Sequence, residues 1–259
     1  MTTTESSGRV AVVTGAAGGI GAAVVLALAS TNVSVAAVDR DPDGLRRLVT
    51  GAPGLPVFSY PADVTSATEV GRVVDAVERD IGPIEFLVNG AGILRARPVL
   101  DLSEQDWEET FAVNAGGVFR VSTAVARRMA GRKRGAIVSV ASNAAGVPRT
   151  QMAAYGAAKA AVTAFTKNLG LELACLGIRC NVVAPGSTDT PMLRSLWHDD
   201  SGPSHTLNGS PEEYRVGIPL GKLAQPADIA DAVLFLLSDR AGHITMHDLY
   251  VDGGAALGR

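Results

Sequence analysis

The sequence predicts an α/β fold. Residues 1–259 form one domain on a doubly wound parallel sheet of about seven strands, with helices on both faces. Three observations carry this. Short β-branched runs alternate with helical runs along the whole chain, the pattern of right-handed βαβ crossovers. Hydrophobic residues make up 47% and aromatics only 5%, so the apolar content is mostly Ala, Val, Leu and Ile, which suits strands buried on both faces. No composition break marks a linker, and no repeat of fixed period stands out.

Residues 9–14 (RVAVVT) are a short apolar run ending at glycines, a buried strand. An Ala/Val/Leu run over 19–30 is a helix, 33–39 (VSVAAVD) the second strand, and 57–61 a third, weaker one. Val70, Val73, Val74 and Val77 recur at helical spacing between charges, so 67–81 is helical. Residues 85–89 are the fourth strand. Ser103 is a good N-cap for a long helix over 103–130, with Asp106 three residues on in a capping-box pattern. Residues 135–142 form strand five, 152–175 an Ala-rich helix and 178–184 strand six. Pro226 falls in the first turn of a helix over 226–238, and 248–251 is the last strand. Residues 191–217 are irregular and polar and are expected to form a lid over a substrate.

The net charge is −3, from 23 basic and 26 acidic residues. The basic groups Arg127-Arg128 and Arg132-Lys133-Arg134 sit at a helix end and turn, so no nucleic acid is expected as a partner. Cys175 and Cys180 lack metal-ligand spacing and read as small core residues of a reduced, cytoplasmic protein. MTTTESSG at the start is neither signal peptide nor anchor, and no apolar run is long enough to span a membrane. His198 and His205 fall in the presumed lid without metal spacing, so no metal site is expected.

The turn after strand one reads Thr14-Gly15-Ala16-Ala17-Gly18-Gly19-Ile20-Gly21. Gly15 permits a sharp turn, Gly19 bares the backbone to a pyrophosphate, and Gly21 lets the helix pack closely on the strand. The amides at the helix start then face the anion. Strand two ends at Asp39, whose carboxylate would accept hydrogen bonds from both ribose hydroxyls of NAD and repel a 2′-phosphate. Arg40 beside it leaves NADP open, and NAD is the expected cofactor.

Tyr155 and Lys159 lie at i and i+4 on the Ala-rich helix and share one face. Oxidising an alcohol requires a base for the hydroxyl proton as hydride leaves the same carbon. A phenol has a pKa of about 10, and bringing it to about 7 needs roughly 4 kcal/mol. A neighbouring ammonium supplies part of this, a cationic nicotinamide more, and Lys159 can also bind the nicotinamide ribose. Ser142, at the end of strand five, is placed to orient the substrate oxygen; Ser139 lies further down the strand as a structural residue. Asn114 sits inside the long helix, where an amide is unfavourable without a task; a water relaying protons from Lys159 would be one.

Together these residues resemble the short-chain dehydrogenase/reductase family. The matching motifs are TGAAGGIG (14–21), NGAG (89–92), the Asn114–Ser142–Tyr155–Lys159 set and PGSTDT (185–190). The resemblance implies a Rossmann-like fold in which Gly15, Gly19, Ile20, Gly21 and Asp39 bind the dinucleotide and Asp63 and Val64 contact adenine. It also implies that Asn89 supports the central sheet and that Pro185-Gly186, with Thr188 and Thr190, hold the carboxamide. It suggests a homotetramer built on the helices of 103–130 and 152–175. Gly90 departs from the commoner Asn or Ala. Segments 92–95, 142–159, 181–197, 217–223 and 242–254 are similar to members that oxidise a ring hydroxyl of a cyclohexadiene carboxylic acid, a small cyclic hydroxy acid that then aromatises. Its carboxylate calls for a cation, and Arg149 or Arg95 could supply a two-pronged contact. Met152 is either pocket wall or core. Three alternatives stay open here: an analogue with an amine replacing one ring hydroxyl, an NADPH-dependent keto or acyl-chain reductase, and a dinucleotide sensor without turnover.

Overall fold

Valine-rich runs become strands because β-branched side chains pack well on a pleated surface covered on both faces. The computed structural model describes residues 8–197 and 199–258. In chain order its elements are β1 (Val10–Thr14), α1 (Gly19–Ser30), β2 (Ser34–Asp39), α2 (Pro42–Thr50), β3 (Val57–Pro61), α3 (Ala67–Asp80) and β4 (Ile84–Asn89). Next come α4 (Glu104–Phe111), α5 (Val118–Arg132), β5 (Gly135–Val140), α6 (Ala153–Leu173) and β6 (Ile178–Pro185). The chain ends with α7 (Pro191–Arg194), α8 (Gly202–Asn208), the hairpin strands β7 (Gly209–Ser210) and β8 (Arg215–Val216), α9 (Pro226–Leu237) and β9 (Asp248–Val251).

Seven strands form one sheet in the order β3-β2-β1-β4-β5-β6-β9, every pair parallel. The winding reverses between β1 and β4. Ligands of open parallel sheets bind outside the carboxyl ends of the strands at such a switch point. Alternate residues of β1 enter opposite cores. Ala11 and Val13 pack with Val24, Val25 and Leu28 of α1 and Ile229, Val233 and Leu236 of α9. Val10 and Val12 pack with Val70, Val73, Val74 and Val77 of α3 and Val121, Val125 and Met129 of α5.

The expected fold class is observed, with local differences. The long helix over 103–130 is interrupted: Ala112–Gly117 forms a π-helical segment between α4 and α5. Asn114 lies in it, and its side chain takes the carbonyl of Thr110 at 2.9 Å, diverting that group from the regular ladder. The N-cap is as expected, Ser103 Oγ accepting from the Asp106 amide at 3.0 Å. Helix α2 has no counterpart among the elements read from the sequence; Pro42 opens it, and Asp41 caps it by accepting from the Asp43 amide at 3.0 Å. Strand β5 stops at Val140, so Ser142 lies beyond the strand as the cap of a short 3₁₀ turn. Segment 191–217 is not irregular throughout, since it contains α7, α8 and the β7–β8 hairpin. Of the two cysteines only Cys180 is a core residue, its thiol pushed up to about 12 by burial, whereas Cys175 is exposed. The reading of MTTTESSG falls on residues outside those described up to position 7. No helix among the described residues is long and apolar enough to cross a membrane.

Ile137, in the middle of β5, is fully buried. Ile137→Ala removes its branched side chain from a layer with little room to collapse, and the expected loss is about 2–5 kcal/mol. Urea unfolding should show a lower midpoint at unchanged slope; an unaltered midpoint would place the core elsewhere.

Candidate active site

The tips of β1 and β4 meet at the switch point. Gly15 has φ +69°, and a Cβ there would lie 2.6 Å from the Gly90 carbonyl and 2.7 Å from the Ala91 Cα. A Cβ on Gly21 would overlap the Gly15 carbonyl, so helix α1 can approach only with glycine there. Thr14 Oγ1 accepts from the amides of Gly90 (3.2 Å) and Ala91 (3.3 Å), fastening the two tips together. Helix α1 begins without a side-chain cap, and Gly18, Gly19, Ile20 and Gly21 line the cleft. Uncapped amides at a helix start bind anions. The bareness of Gly19 has a second cause that the sequence reading lacks: a Cβ there would sit 2.8 Å from the γ-methyl of Thr190.

Asp39 lines the same cleft, beside Arg40, Asp63 and Val64. Its carboxylate accepts from the Ala17 amide and the Asp41 amide, both at 3.0 Å. It therefore caps the following turn and is also fixed against the glycine turn. Asp63 accepts from the Thr65 amide at 2.8 Å, the main reason its carboxyl lies below the usual range. A carboxylate held at the tip of β2, a run of glycines and an uncapped helix start together suit a dinucleotide. Asn89, by contrast, does not line the cleft. Its side chain is buried, donating to Ser122 Oγ (2.9 Å) and Ser139 Oγ (3.2 Å), and Thr166 donates to the same Ser139 oxygen at 2.9 Å. Asn89 and Ser139 thus tie β4 and β5 to the flanking helices, and Gly90 is the group presented to the ligand space.

The cleft continues over the sheet into a second compartment lined by Ser142, Tyr155, Lys159, Arg149, Met152, Pro185, Gly186, Thr188 and Thr190. Lys159 is 4% exposed. Its Nζ donates to the Val140 carbonyl at 2.8 Å and lies 5.7 Å from the centroid of the Tyr155 ring. Burial lowers its ammonium from 10.5 to about 8. Burial also pushes the Tyr155 phenol above its ordinary value, and a hydrogen bond with Ser142 pulls it down without cancelling that rise. The i, i+4 spacing alone predicts that Lys159 supplies part of a lowering. Here burial outweighs what the protein's own groups offer, and Ser142 is the group that opposes it.

Asn114 is fully buried. Both its amide hydrogens go to carbonyls, of Ile93 and Thr110 (2.9 Å each), and its Oδ1 accepts from the Ile93 amide at 3.1 Å. The side chain therefore fastens the loop after β4 to the π segment and has no hydrogen left to donate to a water. Its Oδ1 and the Lys159 Nζ flank one spot, 2.7 and 3.5 Å from where a Gly92 Cβ would lie.

Of the two arginines considered for an acid, Arg149 is half-buried in the compartment with Ser142 and Tyr155. Arg95 lies outside it, on the outer vestibule, paired with Glu109 (3.4 Å) and Asp106 (3.8 Å). Met152 lines the compartment wall. His205 is exposed on α8 and contacts Ser201 Oγ at 3.5 Å; His198 lies outside the described residues. Arg215, which the sequence reading passed over, lines both compartment and vestibule. Nothing in its polar surroundings distinguishes it until the chain folds.

A floor for a dinucleotide that runs into a Ser–Tyr–Lys compartment is the arrangement of an oxidoreductase acting on CH–OH groups, and the chain belongs to the short-chain dehydrogenase/reductase family. A family model described as enoyl-(acyl carrier protein) reductase matches residues 15–256. Dehydrogenases of this family use a nicotinamide dinucleotide. The chain is 53% identical to 2,3-dihydro-2,3-dihydroxybenzoate dehydrogenase of Bacillus subtilis (strain 168), over 97% of each chain. It is 43% identical to the Escherichia coli (strain K12) enzyme of the same name, covering 98% of this chain and 99% of that one. Among solved structures, levodione reductase superposes with a TM-score of 0.90 at 27% identity, over 98% of this chain and all of that one.

The buried lysine makes stability depend on pH in a definite sense. Below pH 8 it is charged in both folded and unfolded chains, and burial penalises the fold fully. Between about 8 and 10.5 the folded chain loses its proton first, so stability rises with pH. The stability advantage of Lys159→Met over wild type should therefore shrink by about 3 kcal/mol between neutral pH and pH above 10.5. Unfolding curves across that range measure it; a constant difference would contradict the shift.

Proposed function

We propose that this protein is an NAD-dependent dehydrogenase that oxidises a ring hydroxyl of 2,3-dihydro-2,3-dihydroxybenzoate, giving 2,3-dihydroxybenzoate, a catechol acid of siderophore biosynthesis. The observation that carries this reading is the meeting in one compartment of a Ser142–Tyr155–Lys159 set and the half-buried guanidinium of Arg149. The first suits an alcohol and the second an acid. The relatives bearing that name agree with it.

When bound, NAD supplies the hydride acceptor and, in its oxidised nicotinamide, a positive charge. Ser142 orients the reacting hydroxyl, and Tyr155 accepts its proton as the carbon is oxidised to a ketone. Because burial holds the phenol high, Tyr155 works as a base only while cations lie close to it. The Lys159 ammonium, fixed by the Val140 carbonyl, is one of them, and it also binds the nicotinamide ribose. Arg149 positions the carboxylate, and Met152 walls the ring. Enolisation of the ketone restores aromaticity and draws the reaction forward. Asp39 takes the adenine ribose hydroxyls, while Asp63 and Val64 bound the adenine. Pro185, Gly186, Thr188 and Thr190 hold the carboxamide. Asn89 acts indirectly, by fixing the strand beneath Gly90. The enzyme works in the cytoplasm as a homotetramer built on the α4–α5 and α6 helices, and 191–217 closes over the substrate.

Tyr155→Phe should reduce NADH formation by about 10³-fold or more while NAD binding stays within about threefold. Substantial residual turnover would remove the phenol from the chemistry. Asp39→Ala should narrow the preference for NAD over NADP by about tenfold, through lost charged hydrogen bonds and lost repulsion of the 2′-phosphate. An unchanged ratio of kcat/KM for the two cofactors would place ribose recognition elsewhere.

A further inference from the structure

Arg215 stands on β8, in the hairpin of the segment that covers the site. It is half-buried and lines the same compartment as Arg149, Ser142 and Tyr155. Its Nη2 donates to Ser187 Oγ at 3.1 Å, the residue directly after Pro185-Gly186. A guanidinium has five donors in a planar fork, so this bond steers the group and leaves most of its donors for a ligand. Among the described residues, neither Arg149 nor Arg215 takes part in an ion pair. The acidic groups that act on them are Asp252 on Arg149 and Glu213 on Arg215, and burial outweighs both. Asp252 is itself engaged, accepting from Asn143 (3.2 Å) and the Gly254 amide (3.0 Å). Arg149 also feels Arg215 as a like charge.

Two half-buried guanidinium groups held near each other without a carboxylate between them repel, and burial strengthens the repulsion. An anion lying between them would relieve it and accept charge-assisted hydrogen bonds from both. Arg95 makes the contrast: its charge is already matched by Asp106 and Glu109.

We propose that Arg215 and Arg149 together clamp the carboxylate of the substrate, so that the β7–β8 hairpin of the lid carries one of the two groups that select an acid. This rests on the function proposed above and adds to it a second specificity-determining residue. Because Arg215 is tied to Ser187, the clamp joins the lid to the loop carrying Thr188 and Thr190.

The test compares kcat/KM for 2,3-dihydro-2,3-dihydroxybenzoate with that for its uncharged carboxamide, in wild type, Arg215→Met and Arg215→Lys, with NAD affinity measured alongside. Wild type should prefer the acid. Arg215→Met should shrink that preference by about 10- to 100-fold, and Arg215→Lys, which keeps the charge but loses the fork, by about fivefold or less. NAD affinity within about threefold of wild type in both variants shows that the fold is kept. If Arg215→Met retains the wild-type preference, Arg215 is no part of the clamp, although the proposed activity stands. If the wild type fails to oxidise the acid, the activity falls and the clamp with it.

Discussion

The structure depends on one close approach: the tips of β1 and β4 touch backbone to backbone at the point where the sheet reverses its winding. Gly15 and Gly90 make it possible, the Thr14 hydroxyl secures it by accepting two amides from the opposite tip, and Gly21 lets α1 start close against the same turn. From this contact follow the crevice above the sheet, the open start of α1 and the line along which a long ligand can lie. Asp39 is drawn to the rim by the Ala17 amide of the same turn. Ser142 and the Lys159 anchor at Val140 belong to the neighbouring strand and its exit.

Burial governs the electrostatics of what sits there. It raises the Tyr155 phenol and lowers the Lys159 ammonium and both cleft arginines. Each of these groups is less ready to be charged than it would be in water, and each has a compensating partner that the protein supplies only in part. Such groups gain most from ligands that bring the opposite charge, a cation for the phenol and an anion for the guanidinium groups.

Much of this was legible in the sequence. The strand–turn–helix around Gly15, Asp39 at the tip of β2 and the Tyr155/Lys159 spacing are local patterns, set by neighbours along the chain. What escaped was set by tertiary packing. The π segment around Asn114 carries no periodic signal, because the amphipathic pattern continues on either side and only the diverted Thr110 carbonyl reveals it. Helix α2 is short and its hydrophobic face narrow, with Leu45 its one buried large side chain. Cys175 has the same local signal as Cys180, but it falls in the short 3₁₀ turn after α6 and is exposed. Arg95 and Arg149 are equivalent as local sequence; the pairing of Arg95 with Asp106 and Glu109 separates them only in the fold. Arg215 came into view only when the hairpin brought it over Ser187.

The packing of Thr190 into the space left by Gly19 interlocks two sides of the cleft. Thr190 also caps α7, accepting from the Leu193 amide at 3.3 Å, so the first turn of α7 is seated on the first turn of α1. Any side chain grafted onto position 19 would act as a wedge under that seat, pressing on the Thr190 side chain. The bareness of Gly19 thus serves two neighbours at once, leaving the start of α1 open and giving the start of α7 its place to rest.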